Sequence, residues 1–206
     1  MHKDTVRFSV LMPTYNQCAF IRRAIFSLMQ QTHKEWELII INDGCTDETE
    51  DFIEDYLADE RVTYIKNEEN TGLGHALNQG LDAAKYEYIA YLPSDDYYFE
   101  NHLESIKGFY LQSDKSSFVY SGIQYDMCDT LHTTQDYECL RVRSGHCIQL
   151  VQASHKKSQQ RWLERNEYLT EDLFQMYWYK LLDEGCFVPT NQITCFWTSY
   201  RTQRHC

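Results

Sequence analysis

No stretch of this 206-residue chain approaches the roughly 18 consecutive apolar residues needed to span a bilayer. The N-terminal M-H-K-D-T also lacks an apolar signal-peptide core. The sequence therefore reads as a cytoplasmic protein, or the cytoplasmic part of a longer one, with at most a peripheral association at the membrane face. Positive charge is scarce as well: 19 Lys and Arg stand against 31 Asp and Glu, a formal net charge of −12. That balance excludes nucleic acid or an anionic membrane as a non-specific partner. It leaves room for a phosphorylated ligand, because a bound metal can supply local positive charge. There are only three prolines, no internal repeat and no low-complexity linker, so residues 1–206 are expected to form a single domain.

The eight cysteines, at 18, 45, 128, 139, 147, 186, 195 and 206, include no C-x-x-C pair. Cys128, Cys139 and Cys147, with His132 and His146 nearby, lack the short knuckle spacing that marks structural zinc. Reduced structural thiols are the expectation, and no cysteine has the surroundings of a nucleophile.

What is present is an alternation of strand and helix signals, the mark of a largely parallel sheet flanked by helices. Strands are expected at Arg7 to Met12, Trp36 to Ile41, Val62 to Ile65, Tyr88 to Leu92 and Phe118 to Tyr125. Helices are expected at Ala19 to Gln30, around Phe52 to Leu57, at Leu73 to Ala84 and at Phe99 to Gln112. Beyond Asp126 the pattern loosens. Cys128 to Glu138 reads as a polar loop and Cys147 to Ala153 alternates weakly. Thr170 to Glu184 reads as a helix closed by Gly185, and Phe187 to Trp197 as one or two last strands.

Chemistry-bearing residues gather at the expected strand ends, where ligands of open α/β sheets sit. After strand four, Y-I-A-Y-L-P-S-D-D-Y-Y places Asp95 and Asp96 side by side. Paired acids there suit a divalent cation that also takes oxygens from a substrate phosphate. The same Ser94-Asp95-Asp96 could instead turn the chain and cap the next helix. Strand one exits into Pro13, Thr14, Tyr15 and Asn16, where Tyr15 can pack on a base and the backbone near Thr14 can bond it, or where an ordinary loop begins. Strand two exits at Asn42-Asp43-Gly44. A carboxylate there can accept the imide N–H of a uracil, or simply serve the turn. In N-T-G-L-G-H-A-L-N-Q-G, Gly72 and Gly74 let backbone N–H groups approach a phosphate, with Asn78 one helical turn beyond Gly74. A dinucleotide fingerprint is excluded, because Leu77 replaces the third glycine and the segment follows the third strand, not the first.

Four stretches, V-L-M-P-T-Y-N, L-I-I-I-N-D-G-C-T-D-E-T, N-T-G-L-G-H-A-L-N-Q-G-L and Y-I-A-Y-L-P-S-D-D, resemble glycosyltransferases of family 2 in order and spacing. The resemblance implies an α/β fold of the GT-A type, a mostly parallel central sheet flanked by helices. It implies a nucleotide-binding half, residues 1–126, and an acceptor-side half, residues 127–206. It further implies a nucleotide-diphosphate sugar as donor, a UDP-sugar first, held at Pro13, Tyr15 and Asp43, to which the strand-end reading adds Thr14, Gly72 and Asn78. Mn²⁺ or Mg²⁺ is implied at Asp96, with Asp95 facing ribose or sugar. Ser94 stands where the family's D-x-D motif has its first acid. Thr170-Glu171-Asp172-Leu173 resembles the family's E-D pair, and makes Asp172, then Glu171, the expected general base. Acids in a first helical turn are also favoured by the helix dipole whatever their function.

Among the cations at His155, Lys156, Lys157, Arg161 and Arg165, Lys156 or His155 is the candidate clamp for the leaving diphosphate. A solvated charged surface is the alternative. His205 is a further candidate near the metal. The expected activity is inverting, metal-dependent sugar transfer to an acceptor hydroxyl on a glycan, a lipid-linked glycan or a protein, as in surface polysaccharide or glycoconjugate synthesis. The chain stops within about ten residues of its last expected strand, so a C-terminally truncated acceptor-side half is one expectation. A non-catalytic nucleotide-sugar-binding domain, or a fragment of a larger transferase, is the competing reading. A nucleotidyltransferase is disfavoured, since Pro13 to Gln17 is neither glycine-rich nor basic.

Overall fold

The structure, a computed structural model, describes residues 5–127, 130–134, 148–165 and 173–198. Strands β1 (Phe8–Thr14), β2 (Trp36–Asn42), β3 (Val62–Lys66) and β4 (Tyr88–Tyr91) form the first half of the sheet. Helices α1 (Cys18–Met29), α2 (Thr49–Ile53) and α3 (Leu73–Ala83) connect them. The second half holds β5 (Tyr97–Tyr98), α4 (His102–Gln112), β6 (Ser116–Met127), β7 (Thr130–Thr134), β8 (Ala153–Lys156), α5 (Leu173–Leu181) and β9 (Cys186–Trp197). All nine strands among the described residues join one sheet of order β3-β2-β1-β4-β8-β6-β9-β5, with β7 hydrogen-bonded to β6.

The sheet is mixed. Neighbours are parallel across β3-β2-β1-β4 and between β6 and β9, and antiparallel at β4–β8, β6–β8, β6–β7 and β5–β9. The parallel register Thr14↔Asn42 brings the ends of β1 and β2 level. Their exit loops, and the loop after β4, therefore open at the same edge.

Both faces of the first strands are covered, which is why they read as continuous apolar runs. Successive side chains point to opposite faces. Val10, Met12, Leu38 and Ile40 meet α1 and α4 through Ile21, Ile25, Leu28 and Ile106. Leu11, Ile39 and Ile41 meet α3 and α5 through Leu77, Leu81, Tyr177 and Trp178. On this second face Trp162 stacks on Tyr177 with ring centres 3.9 Å apart.

Three expectations change. The helix expected from Phe99 begins only at His102, after a short strand in which Tyr97 and Tyr98 pair with β9. The polar segment after Asp126 contains a strand, β7, whose backbone forms an antiparallel ladder with β6. The helix expected from Thr170 is described from Leu173, and a 3₁₀ turn at Leu182–Glu184 precedes Gly185. Gly185, at φ +151°, lies where an added Cβ would sit 2.9 Å from the Lys115 carbonyl oxygen.

Candidate functional site

The loops at the sheet edge surround a cleft lined by Pro13, Thr14, Tyr15, Asp43, Asp95 and Asp96, among others. Its free space, counted out to the open solvent at the mouth, is about 860 Å³.

Two of the loops are fastened to each other. Asn16, at φ +54°, accepts a hydrogen bond from the Thr46 N–H at 2.8 Å, and its own N–H points at Cys45 Sγ, 3.2 Å away. Asp47 accepts from the Cys18 N–H at 3.0 Å and the Thr49 N–H at 3.1 Å, so one carboxylate serves the first turns of α1 and α2. Gly44, at φ +75°, has no room for a Cβ, which would meet the Glu69 carbonyl carbon at 2.4 Å. Tyr15 remains 40% exposed at the mouth. Thr14, which lines the cleft, has its Oγ1 buried without a hydrogen-bond partner.

Asp43 is buried and heavily engaged. Oδ1 accepts from Asn67 Nδ2 (2.9 Å), the Thr71 N–H (3.0 Å) and Thr71 Oγ1 (2.5 Å), and Oδ2 accepts from the Gly72 N–H (2.9 Å). A carboxylate oxygen offers about two lone-pair directions. Oδ1 is therefore filled by the chain itself, while Oδ2 keeps one direction for a ligand N–H.

At the exit of β4 the two acids differ. Asp96 is 2% exposed. Burial, and then the adjacent Asp95 charge, push its carboxyl well above the usual carboxylate range, against the opposing pull of the Thr198 N–H and Arg23. Thr198 N–H donates to Asp96 Oδ1 at 2.8 Å. A buried, crowded acid pair is an arrangement that a divalent cation would relieve from both causes at once. No cluster of three or more His, Cys, Asp or Glu exists among the described residues. The donor set thus fits a hard cation that keeps water and ligand oxygens in most positions.

Several expected site residues lie elsewhere. Lys156 pairs with Tyr88 at the start of β4, the end of the strand away from the cleft, and its Nζ donates to the Asp114 carbonyl at 3.0 Å. His155 is buried between Tyr91 Oη, 2.6 Å from Nε2, and the Lys156 carbonyl, 2.7 Å from Nδ1. Burial brings its pKa down to about 4, so it is a neutral core residue and no clamp. Asn78 is spent on a strap, residues 161–165, that lies across α3. Its Nδ2 donates to the Trp162 carbonyl (3.1 Å) and its Oδ1 accepts from the Trp162 N–H (2.9 Å). The strap also explains the glycines: a Cβ on Gly74 would sit 1.9 Å from the Leu163 oxygen, and Gly72, at φ +99°, faces Arg165. Gly72 contributes its N–H to Asp43. Glu171, Asp172 and His205 lie outside the described residues, as do Cys128, Cys139 and Cys147.

Cleft residues that the sequence did not announce are Gln149, Leu150, Phe174 and Trp197. They reach the site only through the β8, α5 and β9 region, and none carries a local motif.

A family model, Glycosyl transferase family 2, matches residues 9–185. The chain belongs to that family. Within the family it is similar to a glycosyltransferase of Haemophilus influenzae, 31% identical over 161 residues, 78% of this chain and 58% of the relative. It is also similar to one of Rickettsia bellii, 34% identical over 123 residues, 60% of this chain and 17% of the relative. Among solved structures, S. aureus TarS 1–349 in complex with UDP-GlcNAc superposes with a TM-score of 0.80 at 19% identity, covering 96% of this chain and 60% of that one. The mannosyltransferase PcManGT of Pyrobaculum calidifontis, in complex with GDP-Man and Mn²⁺, gives 0.74 at 17%, covering 97% and 59%. At such identities the likeness establishes the GT-A fold. The chain spans less than two thirds of the length of each of these proteins.

Proposed function

We propose that the chain transfers a sugar from a nucleotide-diphosphate donor, a UDP-sugar in the first instance, to an acceptor hydroxyl with inversion at the anomeric carbon. The observation that carries this reading is the buried Asp95–Asp96 pair sharing one cleft with Pro13, Tyr15 and Asp43. The ligands of the superposing structures, UDP-GlcNAc in one and GDP-Man with Mn²⁺ in the other, support a donor of this class.

In this reading the base packs on Tyr15, offers one N–H to Asp43 Oδ2, and presents a carbonyl to Thr14 Oγ1. Asp96, with Asp95 beside it, holds Mn²⁺ or Mg²⁺, which when bound neutralises charge accumulating on the diphosphate. Asp172, which precedes Leu173 in the sequence, takes the proton of the acceptor hydroxyl as its oxygen forms a bond to the anomeric carbon. The bond from that carbon to the phosphate oxygen breaks, and its electron pair leaves with the nucleotide. The reaction is assigned to the cytoplasm; the four described cysteines, Cys18, Cys45, Cys186 and Cys195, are free thiols, as a reducing compartment allows. No described helix is long and apolar enough to cross a membrane. The acceptor is a glycan, a lipid-linked glycan or a protein, in polysaccharide or glycoconjugate synthesis.

Titration calorimetry of UDP in the presence of Mn²⁺ tests the site. Asp96→Ala should abolish the metal-dependent heat, and unchanged affinity would remove Asp96 from it. Asp172→Asn should retain that affinity while transfer falls by about 10²–10⁴-fold, the usual worth of general base catalysis. Wild-type protein that binds the donor but neither hydrolyses nor transfers its sugar would identify a binding module instead.

A further inference from the structure

Behind the acid pair, and outside the cleft lining, a side chain of α1 meets the end of β9. Arg23 Nη2 donates to the Asp95 carbonyl oxygen at 2.5 Å and to Thr198 Oγ1 at 2.7 Å. The Thr198 hydroxyl donates to the same Asp95 oxygen at 2.5 Å, while the Thr198 N–H reaches Asp96 Oδ1. On the other side of the 95–96 peptide, the Asp96 N–H donates to the Pro93 carbonyl at 3.0 Å. The Arg23 guanidinium lies 4.8 Å from the ring centre of Tyr97, itself stacked on Phe196 at 4.9 Å.

A peptide group is planar, so pinning its oxygen and its N–H together fixes the Asp96 Cα, and the Thr198 N–H on Asp96 Oδ1 then holds the side chain. The two donors on the Asp95 oxygen and the bond to Asp96 Oδ1 come from α1 and from a residue about 100 positions along the chain. They converge at Arg23, which bonds both Asp95 and Thr198 from the flank of α1. Arg23 also brings positive charge toward two adjacent carboxylates, and its field opposes the rise in the Asp96 pKa.

We propose that Arg23 is a positioning residue for the acid pair: by clamping the Asp95 main chain to Thr198 it sets the carboxylate of Asp96 for a cation and the donor diphosphate. The inference rests on the donor-site reading above. It makes the closing of β9 on β5 a condition for an ordered site, although β9 supplies no acid.

The test is Mn²⁺-dependent UDP affinity by calorimetry on folded protein, with thermal melting to establish the fold of each variant. Loss of a hydrogen bond from a charged donor predicts that Arg23→Gln weakens binding roughly tenfold or more, with its melting midpoint close to wild type. Arg23→Lys should recover much of the loss, since an ammonium can reach both acceptors. Thr198→Val should weaken binding too, and the double variant should be little worse than either single one, because both act on one clamp. A folded Arg23→Gln that binds like wild type, or losses that add independently, would overturn the inference. Asp96→Ala serves as the control that separates the two ideas. If it abolishes binding while Arg23→Gln does not, only the clamp is wrong; if Asp96→Ala binds normally, the site itself is wrong.

Discussion

At the scale of single residues, the cleft is informative for what it leaves unsatisfied. Buried hydroxyls ordinarily find a partner, and one without a partner costs desolvation energy until a ligand supplies it. Thr14 Oγ1 is in that position, on a residue that lines the cleft. Thr14→Val keeps the shape and removes the hydroxyl. Nucleotide affinity should fall by up to about tenfold, in line with the ~0.5–1.5 kcal/mol of a neutral hydrogen bond. Unfolding stability should stay level or rise. Chemical denaturation and calorimetry on the same variant give opposite signs if the hydroxyl serves the ligand, and equal losses if it serves the fold. Asp43 shows the contrary case, a carboxylate whose four internal donors make it a fastener of the 67–72 loop as well as a candidate base contact.

At the scale of elements, the strap across α3 gives the N-T-G-L-G-H-A-L-N segment a mechanical meaning. Asn78 holds both polar groups of the Trp162 backbone. Arg161 meets Asp82 at 2.6 Å, and Glu164 lies 3.2 Å from His75. Asn78→Ala leaves a buried N–H and a carbonyl unpaired and should cost about 1–3 kcal/mol in urea unfolding. Gly74→Ala drives a methyl into the Leu163 carbonyl and should cost a similar ~1–3 kcal/mol. Neither change touches the cleft lining, so UDP affinity measured on the folded fraction should be preserved. A loss of affinity without a loss of stability would return Gly74 or Asn78 to the donor site. From the sequence alone these residues read equally well as a phosphate cradle, because glycines suit close approach of any backbone, whether to a phosphate or to a crossing strand.

At the scale of the whole molecule, the buried imidazoles couple the fold to pH. The Lys156 carbonyl can only accept, so His155 Nδ1 carries the proton and Nε2 accepts from Tyr91 Oη. Burial lowers the pKa of His155 to about 4 and that of His102 to about 3. The unfolded chain takes up protons near 6.5, so their stabilisation is complete above that pH. It falls away as the pH drops from about 6.5 toward the folded values, His155 alone contributing on the order of 3 kcal/mol. Melting midpoints should therefore decline steadily between pH 6.5 and 4.5. The same scan on His155→Gln should be shallower by one proton, and an equal slope would show that His155 does not titrate on unfolding.

The local sequence determined much of this protein: the apolar runs of β1, β2 and β4, the helical faces of α1 and α3, and the placing of Tyr15, Asp43, Asp95 and Asp96 just beyond strand ends. Each of these is written in a window of a few residues, through side-chain period and turn chemistry. Tertiary structure alone decided that Arg23 and Thr198 close on the acid pair, that Trp197 and Gln149 wall the cleft, that Lys156 faces away from it, and that Asn78 holds a strap. Those outcomes follow from strand order, β4 beside β8 and β9 beside β6. Pairing between strands so distant in the chain is set by which apolar faces can be buried together, a property of the assembled sheet that no short stretch of residues carries.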